Sequence, residues 1–218
     1  MREYLSGANL KQAALLGGVV GVMALPSIVE AGRATPAFCG ATLSGMVLVA
    51  GFATAWQRHG GMAGLFPGRQ ALRWGVPLAV LFAVLLWPIY YVIEPPLEAA
   101  LRATPLHGRV ELFFPSTLAT RVAYLLWTCG FELLFFHAAA QAFFARLTHS
   151  REAAIGAAVV FRALVGYLQL GSVLPGDLFQ FVLALQMLRA VMTALVFAHF
   201  GLPPAVLLTL LVDGRHFF

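Results

Sequence analysis

A succession of apolar runs, each close to the length that crosses a bilayer, constrains this chain more than any other feature. A hydrocarbon core of about 30 Å takes roughly 20 residues of helix. Runs of that kind lie at 13–29, 37–56, 75–93, 122–145, 153–174 and 178–200, and a shorter one follows at 202–212. The last is too short for a full crossing and is expected half-inserted or packed inside a bundle. Composition closes the alternatives. Charged residues are 11% of the chain and hydrophobic types 61%, where a soluble domain carries roughly 25% and 45–50%. So little charge cannot coat a water-soluble surface. Disorder is excluded by 18 Phe, 4 Trp and 5 Tyr, since aromatic residues are scarce in disordered chains. A disulfide framework is excluded because Cys39 and Cys129, the two cysteines, both stand in apolar runs. The chain is therefore expected to be an all-α, polytopic transmembrane helix bundle of about seven spans, forming a single integral membrane domain over 1–218.

Orientation follows from the Lys/Arg bias of the short connections. With the N-terminus cytoplasmic, the inner segments hold Arg2, Lys11, Arg58, Arg69, Arg73, Arg146 and Arg151, against Arg33, Arg102, Arg109, Arg121 and Arg215 outside. The connection from Gln57 to Trp74 has three Arg and no acid, and it favours the N-in arrangement, with the C-terminus outside if the last run crosses and inside if it is re-entrant. The net charge of +5 thus reflects topology, and no nucleic-acid partner is implied. The partner common to every reading is the lipid bilayer. The connection from Glu94 to Ala119 contains Pro95-Pro96, Leu97, Leu101 and Leu106 and is expected to lie along the outer interface as a short amphipathic helix. Pro115-Ser116-Thr117 should cap the following span.

Ionisable side chains inside membrane helices are costly and are functional candidates for that reason. Glu132 and His137 fall in the fourth run, Arg162 in the fifth, Arg189 and His199 in the sixth. Cys129 and Glu132 share one α-helical face, and His137 and Gln141 share another. Glu132 and His137, five apart, diverge by about 140° round an α-helix, so an α-helix cannot aim both at one metal. Arg162 and Gln169 share one stripe of the fifth run. Glu132 and Arg162 stand at middle depth on consecutive antiparallel spans with opposite charge, so an ion pair between them is expected. Arg189 should either snorkel or join the same carboxylate, and His199 falls at the inner end of its span.

The string Phe131-Glu132-Leu133-Leu134-Phe135-Phe136-His137 resembles the E-E-x-x-F-R-G core of the CPBP family. These are bacterial membrane proteins similar to the type II CAAX prenyl endopeptidases and also known as the Abi family. Phe161 falls where the family's F-x-x-x-H begins, Met62-Ala63-Gly64-Leu65 resembles its approach to the third span, and Gly201-Leu202-Pro203-Pro204 resembles the glycine-led start of its final helix. The likeness runs from about Gly61 to the C-terminus. It implies a CPBP-like fold in a bacterial inner membrane and a glutamate-activated water that attacks a peptide bond of a membrane-protein or lipidated-peptide substrate. Glu132 is the motif residue that carries over. Phe131, Phe136 and Val165 stand where the family has Glu, Arg and His, so His137, Arg162 and His199 are the candidates for the assisting roles, with His216 available if the tail folds back.

Two further readings are drawn from the residues. A non-catalytic bundle with a buried Glu–Arg centre would bind a lipid, a pigment or a partner protein. A haem held between His137 and His199 is disfavoured, because two histidines on non-consecutive helices specify little. The cofactor question otherwise stays open, a metal ion included, although a protein-held zinc needs three or four clustered ligands. A rhomboid-type serine protease would need its serine later in the chain than Ser44, and a retinal Schiff base would need a lysine inside a span, whereas the chain's single lysine is Lys11.

Overall fold

The computed structural model describes residues 3–103, 110, 114–170 and 176–218, and no strand occurs among them. Arg2, Leu106 and Arg109 lie outside the described residues, as does the side chain of Gln169. The helices are α1 (Gly7–Glu30), α2 (Pro36–Trp56), α3 (Arg69–Arg102), α4 (Leu118–Thr148), α5 (Arg151–Leu170), α6 (Gly176–Phe200) and α7 (Leu202–Asp213). Among the described residues five helices are long and apolar enough to cross a membrane: α1, α2, α3, α4 and the Phe179–Phe200 stretch of α6. The protein is an all-α, membrane-spanning bundle.

One end of the bundle, here the basic end, gathers the connection around His59–Gly61, the α4–α5 turn at His149 and the α6–α7 junction at Gly201. The opposite end carries the α1–α2 turn and the start of α4. Thr35 and Thr117 cap α2 and α4 there, each accepting a hydrogen bond from the backbone N–H three residues on, and Thr120 reciprocates to the Thr117 N–H. The expected cap at Pro115-Ser116-Thr117 therefore resides in Thr117.

Close approach of α1 and α2 depends on small residues. A Cβ on Gly17 would stand 2.4 Å from the Val47 Cα, and one on Gly21 would stand 2.6 Å from Leu43 Cδ2. This is the small-xxx-small arrangement by which membrane helices gain dispersion contact where lipid offers no hydrophobic drive. Tyr4 closes the same pair at the basic end, donating to the Leu48 carbonyl at 2.9 Å and packing on Phe52 with ring centroids 5.0 Å apart.

One expectation changes, and one left open between two outcomes is decided. The chain does not leave the helix at Glu94 to run along the interface. Helix α3 continues for 34 residues to Arg102 through Pro95 and Pro96. Proline interrupts backbone hydrogen bonding, but Leu101 is buried against Val182 with Leu97 packed beside them, and Arg102 pairs with Glu98 at 2.6 Å one turn below, so packing carries the helix past the prolines. The short run at 202–212 takes the second of its two expected placements, packed with one face inside the bundle. Its 12 residues span about 18 Å, and Pro204, Ala205, Leu208, Thr209, Val212 and Asp213 are buried inside the bundle. Helix α7 therefore ends within the bundle, and the Gly214–Phe217 turn packs against α3 and α4.

Gly201 makes the turn between α6 and α7 possible. It adopts φ 81° and ψ −169°, a region open essentially to glycine, and a Cβ there would meet the Gly64 carbonyl at 2.7 Å. Leu202 N–H donates to the Leu65 carbonyl at 3.1 Å, and Ala63 N–H donates to the Ala198 carbonyl at 2.9 Å, tying this turn to the 61–68 connection. Gly201→Ala is expected to cost at least about 2 kcal/mol from backbone strain alone. Thermal unfolding of the detergent-solubilised protein, followed by tryptophan fluorescence, should show a clear fall in Tm, while Gly214→Ala, with open space at its Cβ, should leave it within a degree or two.

Candidate functional site

A cavity of about 1010 Å³ lies between the helices and reaches the surface at the end opposite the basic one. Its mouth is lined by Glu30, Ala31, Arg33 and Phe38 from the α1–α2 turn and by Glu94 and Leu97 of α3, and its wall includes Tyr124, Trp127, Glu132 and His137 of α4, Arg162 of α5, and Gln186, Arg189 and Thr193 of α6. Near the mouth α4 packs on α1 while α3 packs on α6 and α7, and the space between these groups is the cavity.

Helix α4 is not α-helical throughout. Residues Trp127–Ala139 form a π-helical segment, flanked by α-helix on both sides. In an i→i+5 ladder, residues five apart stack nearly one above the other, as residues four apart do in an α-helix. The 140° divergence expected for Glu132 and His137 therefore does not arise, and both line the same cavity. Rings stack along the widened segment, with Trp127 on Phe131 at 4.1 Å and Phe131 on Phe135 at 5.6 Å.

The charges form two groups. Arg162 Nη2 donates to Glu132 Oε1 at 3.3 Å, the expected pair, and the same guanidinium lies 4.6 Å from the centre of the Phe136 ring. Arg189 neither snorkels nor joins Glu132. Its Nη2 donates to Asp213 Oδ2 at 2.6 Å. Asp213 also accepts from Arg215 Nη1 at 3.2 Å, and Arg215 is bound to the Glu94 carboxylate and sits over the Tyr90 ring at 4.0 Å. The His216 ring meets Tyr124 edge-on at 5.1 Å, with Nε2 4.0 Å from Glu94 Oε1. The tail thus folds back, and the Glu94–Arg215–Asp213–Arg189 chain stitches α3, α6 and α7 together.

Of the five ionisable residues singled out inside the apolar runs, Glu132, His137, Arg162 and Arg189 are brought to one cavity. His199 is not. It is exposed in the last turn of α6 beside Phe200, at the basic end, whereas the cavity opens at the other end. This also removes a haem held between His137 and His199 as a geometric option. His137 does not bond to Gln141: Gln141 donates to the Ala194 carbonyl at 3.3 Å, and the His137 Nδ1 is buried without a partner. Among the described residues no three His, Cys, Asp or Glu side chains are grouped to hold a metal ion. The donor set offered to a metal at Glu132 would be one carboxylate and one imidazole, fewer than a structural or catalytic zinc uses.

Glu94, Asp213 and Arg215 escaped the sequence reading as interior groups because each stands at the edge of an apolar run. Charge balance was the available signal. Glu132 can neutralise one buried arginine, so Arg162 and Arg189 together require a second carboxylate, and Glu30, Glu94 and Asp213 are the acids that directly follow apolar runs.

No protein-family model, curated protein or solved structure matches this chain.

Breaking a buried ion pair on one side leaves an uncompensated charge and costs about 3–5 kcal/mol, whereas replacing both partners is often neutral. Asp213 is fully buried against Arg189. Asp213→Asn is therefore expected to lose most of the folded fraction in a thermal melt, and Asp213→Asn combined with Arg189→Met should recover at least half of that loss. A double variant no better than the single one would show that the pair does not hold α6 to α7.

Proposed function

We propose that the chain is a divergent CPBP-type protein of a bacterial inner membrane that holds a membrane-borne amphiphile in this cavity, with the Glu132–Arg162 pair at the point where the ligand's polar part is met. The observation that carries this reading is the cavity itself, about 1010 Å³ in volume and lined by Glu132, Arg162 and Arg189 at middle depth. Charged groups in a membrane interior are retained where they line a pathway or a site, and a packed apolar bundle would have no use for the space. In this reading the basic end faces the cytoplasm and the cavity opens to the other side.

Several placements support the family part of the proposal. The two glycine-containing segments that resemble the family, around Gly64 and Gly201, pack against one another. Phe161 lies against Phe135 and Phe136, at 5.7 and 5.6 Å. Position 136, where the family carries an arginine, is Phe here, and the Arg162 guanidinium rests on that ring. An arginine from the next helix thus serves the neighbourhood that the motif arginine would occupy.

Photo-crosslinking tests the binding reading. Purified protein in a bilayer doped with diazirine-bearing lipid should be labelled on cavity-wall peptides around Trp127–Leu133 and Leu185–Arg189. Leu185→Trp, which adds bulk to the cavity wall, should reduce that labelling. Labelling confined to the outward faces of the helices would overturn it.

A second reading, hydrolysis, is favoured by the π segment, which sets the Glu132 carboxylate and the His137 ring on one wall as a base and its assistant. The carboxylate is already bonded to Arg162, which makes binding the better supported of the two. A quenched prenylated peptide in the same bilayer separates them. Hydrolysis predicts cleavage that falls by about 100-fold or more in Glu132→Ala, while binding alone predicts retained labelling and no cleavage by either protein.

A further inference from the structure

Helix α3 presents one stripe that the bundle does not cover. Arg69, Arg73, Val76, Val80, Val84 and Trp87 follow one another at intervals of three and four, so they fall within about 80° of one another round an α-helix. All six are exposed. Gly75, Ala79, Ala83 and Leu86, about a quarter-turn away, are buried against the bundle.

The stripe begins with charge that nothing neutralises. Neither Arg69 nor Arg73 makes an ion pair among the described residues, and no acid occurs between Gln57 and Trp74. The acids described at this end, Glu3 and Glu152, are held by His59 and Arg151, each at 3.3 Å. Trp74 is exposed, 5.9 Å from the Arg73 guanidinium, and Phe66 is exposed as well. Aromatic rings at the end of a membrane helix mark the head-group level.

Lower on the same stripe lies an apolar groove of about 220 Å³, lined by Val80, Ala83, Val84 and Trp87 of α3 and by Leu211 of α7. Ala83 supplies only a methyl group, which leaves the hollow between larger side chains. The Trp87 indole N–H donates to the Leu211 carbonyl at 2.8 Å and fixes the two walls where α3 meets α7. Along the axis the lining of α3 lies about 10–21 Å from Arg73. That is the depth of one leaflet's acyl chains when the arginines stand at head-group level, since half the hydrocarbon core is about 15 Å. No residue of the groove lines the cavity.

We propose that this stripe binds an anionic phospholipid of the leaflet at the basic end, with its phosphate between Arg69 and Arg73 and one acyl chain in the groove. The site is independent of the ligand held in the cavity. A zwitterionic head group would bring an ammonium to a place with no carboxylate to receive it. A net negative head group gains about fivefold in affinity from each basic side chain near it. A soluble anion would use the arginines and leave the groove empty, whereas the lipid uses both.

Native mass spectrometry of the full-length protein tests the head-group half, with dioleoyl phosphatidylglycerol and dioleoyl phosphatidylcholine supplied at equal concentration. The wild-type protein is expected to retain phosphatidylglycerol better by about tenfold or more. Arg69→Gln combined with Arg73→Gln should abolish that preference. Arg58→Gln combined with Arg146→Gln removes the same charge from the same end but away from α3, and should keep the preference within about twofold. Arg69 and Arg73 are exposed and unpaired, so their replacement should leave Tm within about two degrees. Phosphatidylglycerol with a diazirine midway along its acyl chain tests the other half. It should label the peptide at 80–87 in the wild type and label it several-fold less, by about the same factor as retention falls, in the Arg69→Gln, Arg73→Gln protein. Absence of a preference in the wild type would overturn the proposal. Equal loss in both double variants would do the same, because net charge and not a site would then set retention. Labelling at 80–87 that survives loss of both arginines would show that the groove takes any acyl chain, and would overturn the joined site.

Discussion

Asp213 has no exposed surface, and two arginines from different parts of the chain converge on it. An isolated carboxylate at that depth would be untenable, so the positions of Arg189 and Arg215 are conditions for α7 to sit where it does. The short final helix cannot reach across a bilayer, and it is held inside the bundle by this contact and by the glycine turn that aims it there. Arg215 in turn reaches Glu94 on α3, so one buried acid indirectly fixes the spacing of three helices. The cavity exists because those helices are held by charge contacts along its wall and not by side chains filling its volume.

The π segment does for chemistry what the ion pairs do for architecture. An α-helix from Leu118 to Thr148 would point Glu132 and His137 to different sides. The wider ladder over Trp127–Ala139 turns both to the cavity, and Trp127, Phe131 and Phe135 stack along the segment. Helical segments of this kind are infrequent and often occur at functional sites.

The apolar runs made the bundle legible, because a period of about 20 apolar residues has few other physical meanings. Helix ends moved where tertiary contacts outweighed local preference. Leu97 and Leu101 found partners, so α3 continued through two prolines. The Glu132–Arg162 pair was readable from depth and sign alone. The partner of Arg189 was not, since Asp213 follows its apolar run and looks like a loop residue until α7 is known to end inside. The grouping of Glu132 with His137 was hidden for a different reason. Spacing arguments presume a helical period, and a change from i→i+4 to i→i+5 bonding leaves no plain mark in residue identity. His199 shows the reverse case, a histidine of suggestive type that depth and direction place at the wrong end of its helix.

Everything proposed for the site depends on the cavity being open to water or head groups from the end that carries the α1–α2 turn. Cysteine accessibility measures this in a bilayer, in a background where Cys39 and Cys129 are replaced by alanine. A small charged methanethiosulfonate reagent reacts with the thiolate and so reports aqueous access. A cysteine at Gln186, on the cavity wall, should react readily when reagent is added on the side of the α1–α2 turn and slowly from the basic side, whereas one at Val196, fully buried in the apolar core, should not react from either. A cysteine at position 186 as inert as one at 196 would mean a closed, dry interior in which the charges serve packing alone.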